Sequence, residues 1–390
     1  MTVRQIVVIQ PQLASLDGHE HTQIAALEWL LPQHALTVVT RQGCALADQF
    51  GGAQLLQLLP PQGRKRARHD RHGFHSALKR ALALTGATGT DLLLVPSAGP
   101  HELTALVSFL EHENANTCPP AKLRILSEDV MSRLGENTRI GLQQLSKTGR
   151  LVLFTETTEL CQRLRDHHQV PVRGAFNLPC TILPGSVAAG TQIPAMGKEV
   201  RIGILGRQRA EKGSYRIPTI LHHLRRLVAR DSGGKRICLV CQAVRSKWFR
   251  RLLLEARTRF SARGDAAVRI QFLDSGMSGP AFRQLLLDMD ILLLPYDTGR
   301  YRYSGSGLIM DGVAAQIPIV HTRGMAMQEL LVHGNAEAAG SDREFAEKLL
   351  TVAKHLHGYR QGARDACSHL EVLLEASAHR LVGEPPSAAG

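Results

Sequence analysis

Short apolar runs that alternate with stretches of helical spacing recur from the start of the chain to beyond its middle, and this pattern constrains the fold most. The runs Gln5–Gln10, Leu36–Thr40, Asp91–Pro96, Leu123–Ser127 and Leu151–Thr155 are predicted strands. Between the first two, Ile24, Leu27, Leu30 and Leu31 fall on one helical face. Strands that alternate with helices make parallel sheets covered by helices on both faces. The alternation resumes with Val200–Leu205, Arg236–Gln242, Val268–Leu273, Asp290–Pro295 and Ile317–His321. Between the two series, residues 184–197 carry Pro184, Gly185, Gly190, Pro194 and Gly197 without periodicity, as a linker does. The expectation is an α/β protein of two Rossmann-like domains with parallel sheets facing across a cleft. They span 1–183 and 198–358, followed by a C-terminal helix over 359–383 and a flexible tail over 384–390. A length of 390 residues suits two domains.

Composition excludes several classes. With 44% hydrophobic and 21% charged residues the chain can fill a core and stay in water. No run approaches the roughly 18 apolar residues of a membrane span, so the expected compartment is the cytoplasm. Seven scattered cysteines suit reduced thiols better than a disulfide framework. Cys238 and Cys241 have metal-site spacing but lie in an apolar run that reads as a buried strand, with no second pair.

The net charge of +13 calls for acidic partners. Arg64, Lys65, Arg66, Arg68, Arg71, Lys79 and Arg80 against Asp70 alone supply about half of that excess. The run leads into Phe74, Ala77, Leu78, Ala81 and Leu82 on one helical face. Residues 64–84 could thus attach to an anionic membrane at the inner face, or form a solvated loop and an ordinary core helix. Nucleic acid is disfavoured, because aromatics are 4% of the chain and no nucleic-acid motif occurs.

Two glycine-bearing loops carry the chemistry. Gly206-Arg-Gln-Arg-Ala-Glu-Lys-Gly213 follows a strand directly, which sets Arg207 and Lys212 on one loop at the mouth of a sheet. Two fixed cations there can neutralise a diphosphate and stabilise the charge that grows on it as a leaving group. The plain alternative is a basic surface loop. After the strand Asp290–Pro295 comes a run through Tyr303, Ser304, Gly305, Ser306 and Gly307, then a helical segment. Glycines let backbone amides approach a ligand, and a helix N-terminus favours phosphate. Asp311, one turn into that helix, could accept from ribose hydroxyls or favour the helix dipole.

These residues resemble the retaining glycosyltransferases of family 4, which have the GT-B architecture. The resemblance rests on Gly206-Arg207 with Lys212-Gly213, on Phe272-Leu-Asp-Ser through Leu286 with Asp290–Pro295, and on Asp311-Gly-Val-Ala-Ala-Gln-Ile-Pro-Ile-Val320. It implies that Arg207 and Lys212 hold the diphosphate of a nucleoside diphosphate sugar, Asp311 the ribose, and the amides around Gly305–Gly307 the phosphate or sugar. It further implies transfer to a glycan or lipid-linked acceptor hydroxyl with retention, with no cofactor or metal required. Gly18, in Asp17-Gly-His-Glu20, is similar to the family's acceptor-side glycine. Tyr303 stands where the family has the first of two glutamates, and Gln316 where glycine is common. Where family members often place a histidine after a middle N-domain strand, this chain has Glu128 and Asp129, the catalytic candidates of the first domain. The competing readings are a sugar-nucleotide epimerase or hydrolase on the same fold and a non-catalytic basic nucleic-acid-binding protein.

Overall fold

The computed structural model describes residues 3–15, 20–46, 49–61, 71–185, 199–231, 236–242, 267–273 and 277–383. Gly18, the basic run 64–70, most of the anticipated linker and the tail 384–390 lie outside them. The chain divides into two compact units, one of Met1–Leu178, Tyr303–Gly305 and Val372–Gly390, the other of Pro179–Arg302 and Ser306–Glu371.

The first unit is built on a sheet of order β3-β4-β2-β1-β5-β6-β7-β8. Its strands are β1 Gln5–Ile9, β2 Ala35–Arg41, β3 Gln49–Phe50, β4 Ala53–Leu59, β5 Leu92–Ala98, β6 Ala121–Ile125, β7 Leu151–Thr155 and β8 Val172–Ala175. Every neighbouring pair is parallel except the short β3 on β4. Residues Ile6–Ile9 of β1 are buried on both faces, as a central parallel strand must be. The helices between strands are α1 Glu20–Leu30, α2 Arg71–Thr85, α3 Pro100–His112, the single turn α4 Asp129–Ser132, α5 Glu136–Lys147 and α6 Thr158–His168. Local chemistry starts them: Pro100 opens α3, where its missing N–H costs nothing. The Thr157 side chain caps α6 by accepting from Leu160 N.

Of the two readings of residues 64–84, the structure bears out the core helix for α2. Phe74, Ala77, Leu78 and Ala81 are buried in the core of the first unit, so its apolar face covers the sheet and is not available to lipid. Strands β3, β4 and β8 are additions to the predicted set.

The second sheet has the order β11-β10-β9-β12-β13-β14, parallel throughout. Its strands are β9 Glu199–Ile204, β10 Arg236–Gln242, β11 Val268–Leu273, β12 Ile291–Leu294, β13 Ile319–Thr322 and β14 Ala336–Ala339, the last again unforeseen. The helices are α7 Ile217–Val228, α8 Gly279–Leu287, the turn α9 Thr298–Tyr301, α10 Gly307–Ala314, α11 Asp342–Lys354 and α12 Leu356–Val382. Ser341 caps α11 by accepting from Glu344 N, while Glu344 accepts from Gly340 N. Cys238 and Cys241 are buried in β10, and burial pushes the Cys241 thiol up to about 12. These are packing residues of low reactivity. Asp290, just before β12, spends its carboxylate on Arg201 N and Arg360.

In each sheet the strand order reverses beside the first strand, between β1 and β5 in one and between β9 and β12 in the other. Ligands of open parallel sheets bind at the carboxyl ends of the strands flanking such a reversal. In the second unit those ends are Leu205–Gly213 after β9 and Pro295–Arg302 after β12.

Candidate functional site

The loop after β9 is held rigidly. Gly206 has φ +79°, and its amide donates to Gln242 Oε1 at 2.7 Å, tying the loop to the end of β10. The buried Gln208 donates from Nε2 to the carbonyls of Ile204 at 3.1 Å and Gly206 at 3.0 Å. A 3-10 turn over Ala210–Lys212 ends at Gly213, whose φ is +67°. The carbonyl of Glu211 accepts from Asp297 N at 2.9 Å, which fixes this loop against the one after β12.

The two expected cations differ in setting. Arg207 is exposed. Lys212 turns inward, with Nζ 5.5 Å from the centre of the Tyr296 ring and close under Gly206, where an added Cβ would meet it at 3.0 Å. Burial pushes its pKa down to about 8, with the charge of Arg209 adding to the shift and Glu211 opposing it. Lys212 forms no ion pair among the described residues, since Glu211 pairs with Arg209 at 3.4 Å. A half-buried ammonium on an aromatic face without a counterion is suited to receiving an anionic ligand.

Tyr296, which the sequence reading did not single out, forms the floor of this site. It is buried, packs on Tyr301 with ring centres 4.5 Å apart, and its hydroxyl lacks a well-formed hydrogen bond. Burial raises its pKa far above the usual phenol value, and Ser306 beside it works against that rise. The signal was weak because Pro295-Tyr296 reads as the close of a strand.

The surroundings of the second loop are more occupied than its glycines suggested. The amide of Ser306 donates to Met327 Sδ at 3.2 Å, and a Cβ on Gly307 would lie 3.0 Å from Cys180 Sγ. The closeness of Cys180 accounts for the glycine at 307. Asp311 is 2% exposed, and its Oδ1 accepts from Thr181 N at 2.7 Å and Ile182 N at 3.1 Å. Ribose was the sequence expectation for this carboxylate, whereas its partners here are backbone amides at the start of the second unit.

Burial raises the Asp311 pKa from 3.8 to about 6 against the opposing hydrogen bonds from Thr181 and Ile182. Between those pH values the folded protein holds a proton that the unfolded chain has released, so stability falls as pH rises from 3.8 to about 6. Asp311→Asn keeps a carbonyl acceptor for the two amides and removes the titration. Denaturation midpoints of both proteins across this range should differ in slope, with the asparagine variant flatter. Parallel curves would show that Asp311 ionises normally.

In the first unit, Tyr303 and Gly305 are held by β7 and α6. The Tyr303 carbonyl accepts from Thr157 Oγ1 at 2.5 Å, its ring lies 5.3 Å from the Arg163 guanidinium, and Gly305 N donates to Glu156 Oε2 at 3.1 Å. A Cβ on Gly305 would fall 2.5 Å from the Glu156 carboxyl carbon. Glu156, not a phosphate, occupies the space this glycine leaves. Ser304 lies between Tyr303 and Gly305 in the chain. Glu128 Oε1 accepts from Arg163 Nε at 2.8 Å and His168 Nε2 at 2.9 Å. Burial would raise its pKa, but the bonds from His168 and Arg163 outweigh it and hold the carboxyl low. Asp129 is exposed and faces Arg133 at 3.8 Å. An ion-paired Glu128 and a solvated Asp129 have the surroundings of structural and surface carboxylates. Among the described residues no group of His, Cys, Asp and Glu is arranged to hold a metal ion, and no helix is long and apolar enough to cross a membrane.

No protein-family model matches the chain, and no curated protein matches its sequence. Solved structures do match in fold. One is an E. coli structure described as trehalose-6-phosphate bound with UDP-2-fluoro glucose, with TM-score 0.68, 12% identity, and coverage of 98% of this chain and 100% of the other. A UDP-forming α,α-trehalose-phosphate synthase from Burkholderia vietnamiensis gives TM-score 0.64 and 13% identity over 97% of this chain and 98% of its own. The Burkholderia xenovorans enzyme in complex with glucose-6-phosphate gives TM-score 0.63 and 11% identity over 97% and 98%. The shared fold is GT-B, two parallel-sheet α/β domains. At this identity the likeness is one of fold, and assignment to family 4 is not part of it.

Proposed function

We propose that this protein is a glycosyltransferase that moves a sugar from a nucleoside diphosphate sugar to an acceptor hydroxyl with retention of anomeric configuration. The observation that carries this reading is Lys212, a half-buried cation with no counterion among the described residues, on a rigid loop at the strand-order reversal of the second sheet. A donor diphosphate against Lys212 Nζ, with Arg207 at the rim, meets fixed positive charge where negative charge grows as the bond from C1 to the β-phosphate oxygen breaks. The acceptor oxygen forms the new bond to C1, and its proton leaves with the departing diphosphate.

Uridine is the proposed base and glucose the first sugar to try, on the strength of structural neighbours bound with UDP-2-fluoro glucose or forming UDP. A phosphorylated or otherwise anionic acceptor suits both the neighbour in complex with glucose-6-phosphate and the charge of +13. A lipid-linked acceptor would have to be met through basic residues, those of 64–70 with the exposed Lys79 and Arg80, since the apolar face of α2 is buried.

The test is thermal unfolding with a panel of nucleoside diphosphate sugars, then release of nucleoside diphosphate on adding glucose-6-phosphate or other acceptors. A donor at about a hundred times its Kd should stabilise the fold by about 2.7 kcal/mol. If no member of the panel raises the unfolding temperature, the donor reading fails.

A further inference from the structure

The first unit contains a cavity of about 800 Å³ at the end of its sheet opposite the strand-order reversal loops. Its lining includes residues that precede or open strands: Val3 before β1, Gly89–Asp91 before β5, Pro120 and Lys122 at β6, Gly149 before β7. The last turn of α12 closes one side with His379–Gly383. Because nucleotide-type ligands of such sheets bind at the carboxyl ends, this cavity is separate from the donor site in the second unit.

Strand alternation explains its chemistry. Leu123, Ile125, Leu151 and Leu153 point into the core of the unit. Lys122, Val152 and Phe154, at the alternate positions, point to the other face. Lysine on a central parallel strand needs a reason, because such strands are normally apolar throughout. Lys122 Nζ donates to the carbonyls of Arg380 at 2.8 Å and Leu381 at 2.5 Å, capping the C-terminus of α12. An ammonium has three donors, so the cap leaves one over. Arg173, His379 and Arg380 also line the cavity. Among the described lining residues the single carboxylate, Asp91, is committed to Gln5 N at 3.1 Å and Thr88 N at 2.9 Å. Positive charge therefore exceeds negative around walls that are otherwise largely apolar. Burial, with the charge of Arg173 adding to it, pushes the Lys122 pKa down to about 8, as befits a cation short of a counterion.

We propose that this cavity binds an amphipathic anion, an acyl or aryl chain ending in a carboxylate or phosphate, with its head at Lys122 and Arg173 and its body over Val152 and Phe154. The volume lies within the roughly 300–1,000 Å³ typical of small-molecule sites. Polyhydroxylated sugar phosphates fit poorly, because the apolar walls would leave their hydroxyls without partners. The proposal does not depend on the glycosyltransferase reading.

Calorimetric titration of the full chain with decanoate, decyl phosphate and decan-1-ol tests it, the two anions distinguishing the head groups. Saturable binding of at least one anion is expected, with the alcohol weaker by about tenfold or more for loss of a charge-assisted bond. Arg173→Gln and Lys122→Gln should each weaken the anion by a similar factor of about ten, while UDP binding stays at the parent value. Glutamine at 122 can still donate to the helix-end carbonyls, and Arg173→Gln serves if the other variant folds poorly. Equal binding of alcohol and anions, or anion binding unaffected by Arg173→Gln, would overturn the proposal. So would binding that appears only in a chain ending at Gly383, since residues 384–390 would then be the occupant.

Discussion

Lys212→Met should be more stable than the parent and nearly inactive. The parent lysine titrates near 8 in the fold, against 10.5 for a free side chain. Holding the charge there at neutral pH opposes folding, and that penalty fades as pH rises from about 8 toward 10.5. The unbranched methionine fills the same space over Tyr296 without a charge to desolvate. The gain at pH 7 should be about 1–3 kcal/mol, scaled down from the full shift because the side chain is partly exposed. Catalysis should move the other way, by about 2–4 kcal/mol of lost transition-state stabilisation, or a factor of about 10² to 10³ in kcat/KM. Stability lost and activity gained by the native residue is the trade-off expected where a site is built for a charged ligand. Unfolding curves at pH 7 and 10 together with donor turnover decide it. A methionine variant that turns over donor normally, or loses stability at both pH values, would remove Lys212 from the site. Donor affinity of the parent should also fall as pH rises through about 8, where the free protein loses the ammonium.

Most of the architecture was legible because parallel strands buried on both faces are written as continuous apolar runs. Leu151–Thr155 and Arg236–Gln242 form largely buried strands over the residues the pattern marked, whereas the edge strand Val268–Leu273 was marked by alternation. The unforeseen strands lack that signature. Ala53–Leu59 places glutamines among leucines, Val172–Ala175 contains Arg173 and Gly174 at the sheet edge, and Ala336–Ala339 is three alanines and a glutamate, all poor β formers. They are strands because a neighbouring edge pairs with them, which no local window reveals. The site was legible to the same depth. Gly206–Gly213 announced itself by position after a strand, but that Lys212 turns inward while Arg207 faces water depends on Tyr296, far along the chain. The glycines at 305 and 307 were read as room for phosphate. Their neighbours Glu156 and Cys180 come from distant segments, so spacing could not show that the room was taken. Glu128 likewise looked available until α6 brought Arg163 and His168 to it.

Gly213→Ala should unfold or severely destabilise the second unit, because two independent constraints meet at this residue. Its φ of +67° lies in the left-handed region, where an L side chain crowds the following carbonyl at a cost of about 1–2 kcal/mol. The second constraint is larger, since a Cβ there would sit 1.8 Å from the Pro295 carbonyl oxygen. Backbone on both sides leaves nothing flexible to yield. Relief requires parting the loop after β9 from the loop after β12, and the bond from Asp297 N to the Glu211 carbonyl holds those loops together. Steric and backbone strain together should exceed about 4 kcal/mol, the range reserved for a named structural failure. Gly206→Ala makes the matched control. It also adds a Cβ at positive φ, but its nearest obstacle is Lys212 Nζ at 3.0 Å, the far end of a flexible side chain. The Gly206 variant should therefore fold with a modest loss of about 1 kcal/mol and show its damage in donor binding, by displacing the ammonium. Chemical denaturation of the pair reads the difference directly. If both variants lose the same stability, the contact between Gly213 and Pro295 is not what fixes the loop, and the rigidity assigned to the donor site would have to come from Gln208 and Gln242 alone.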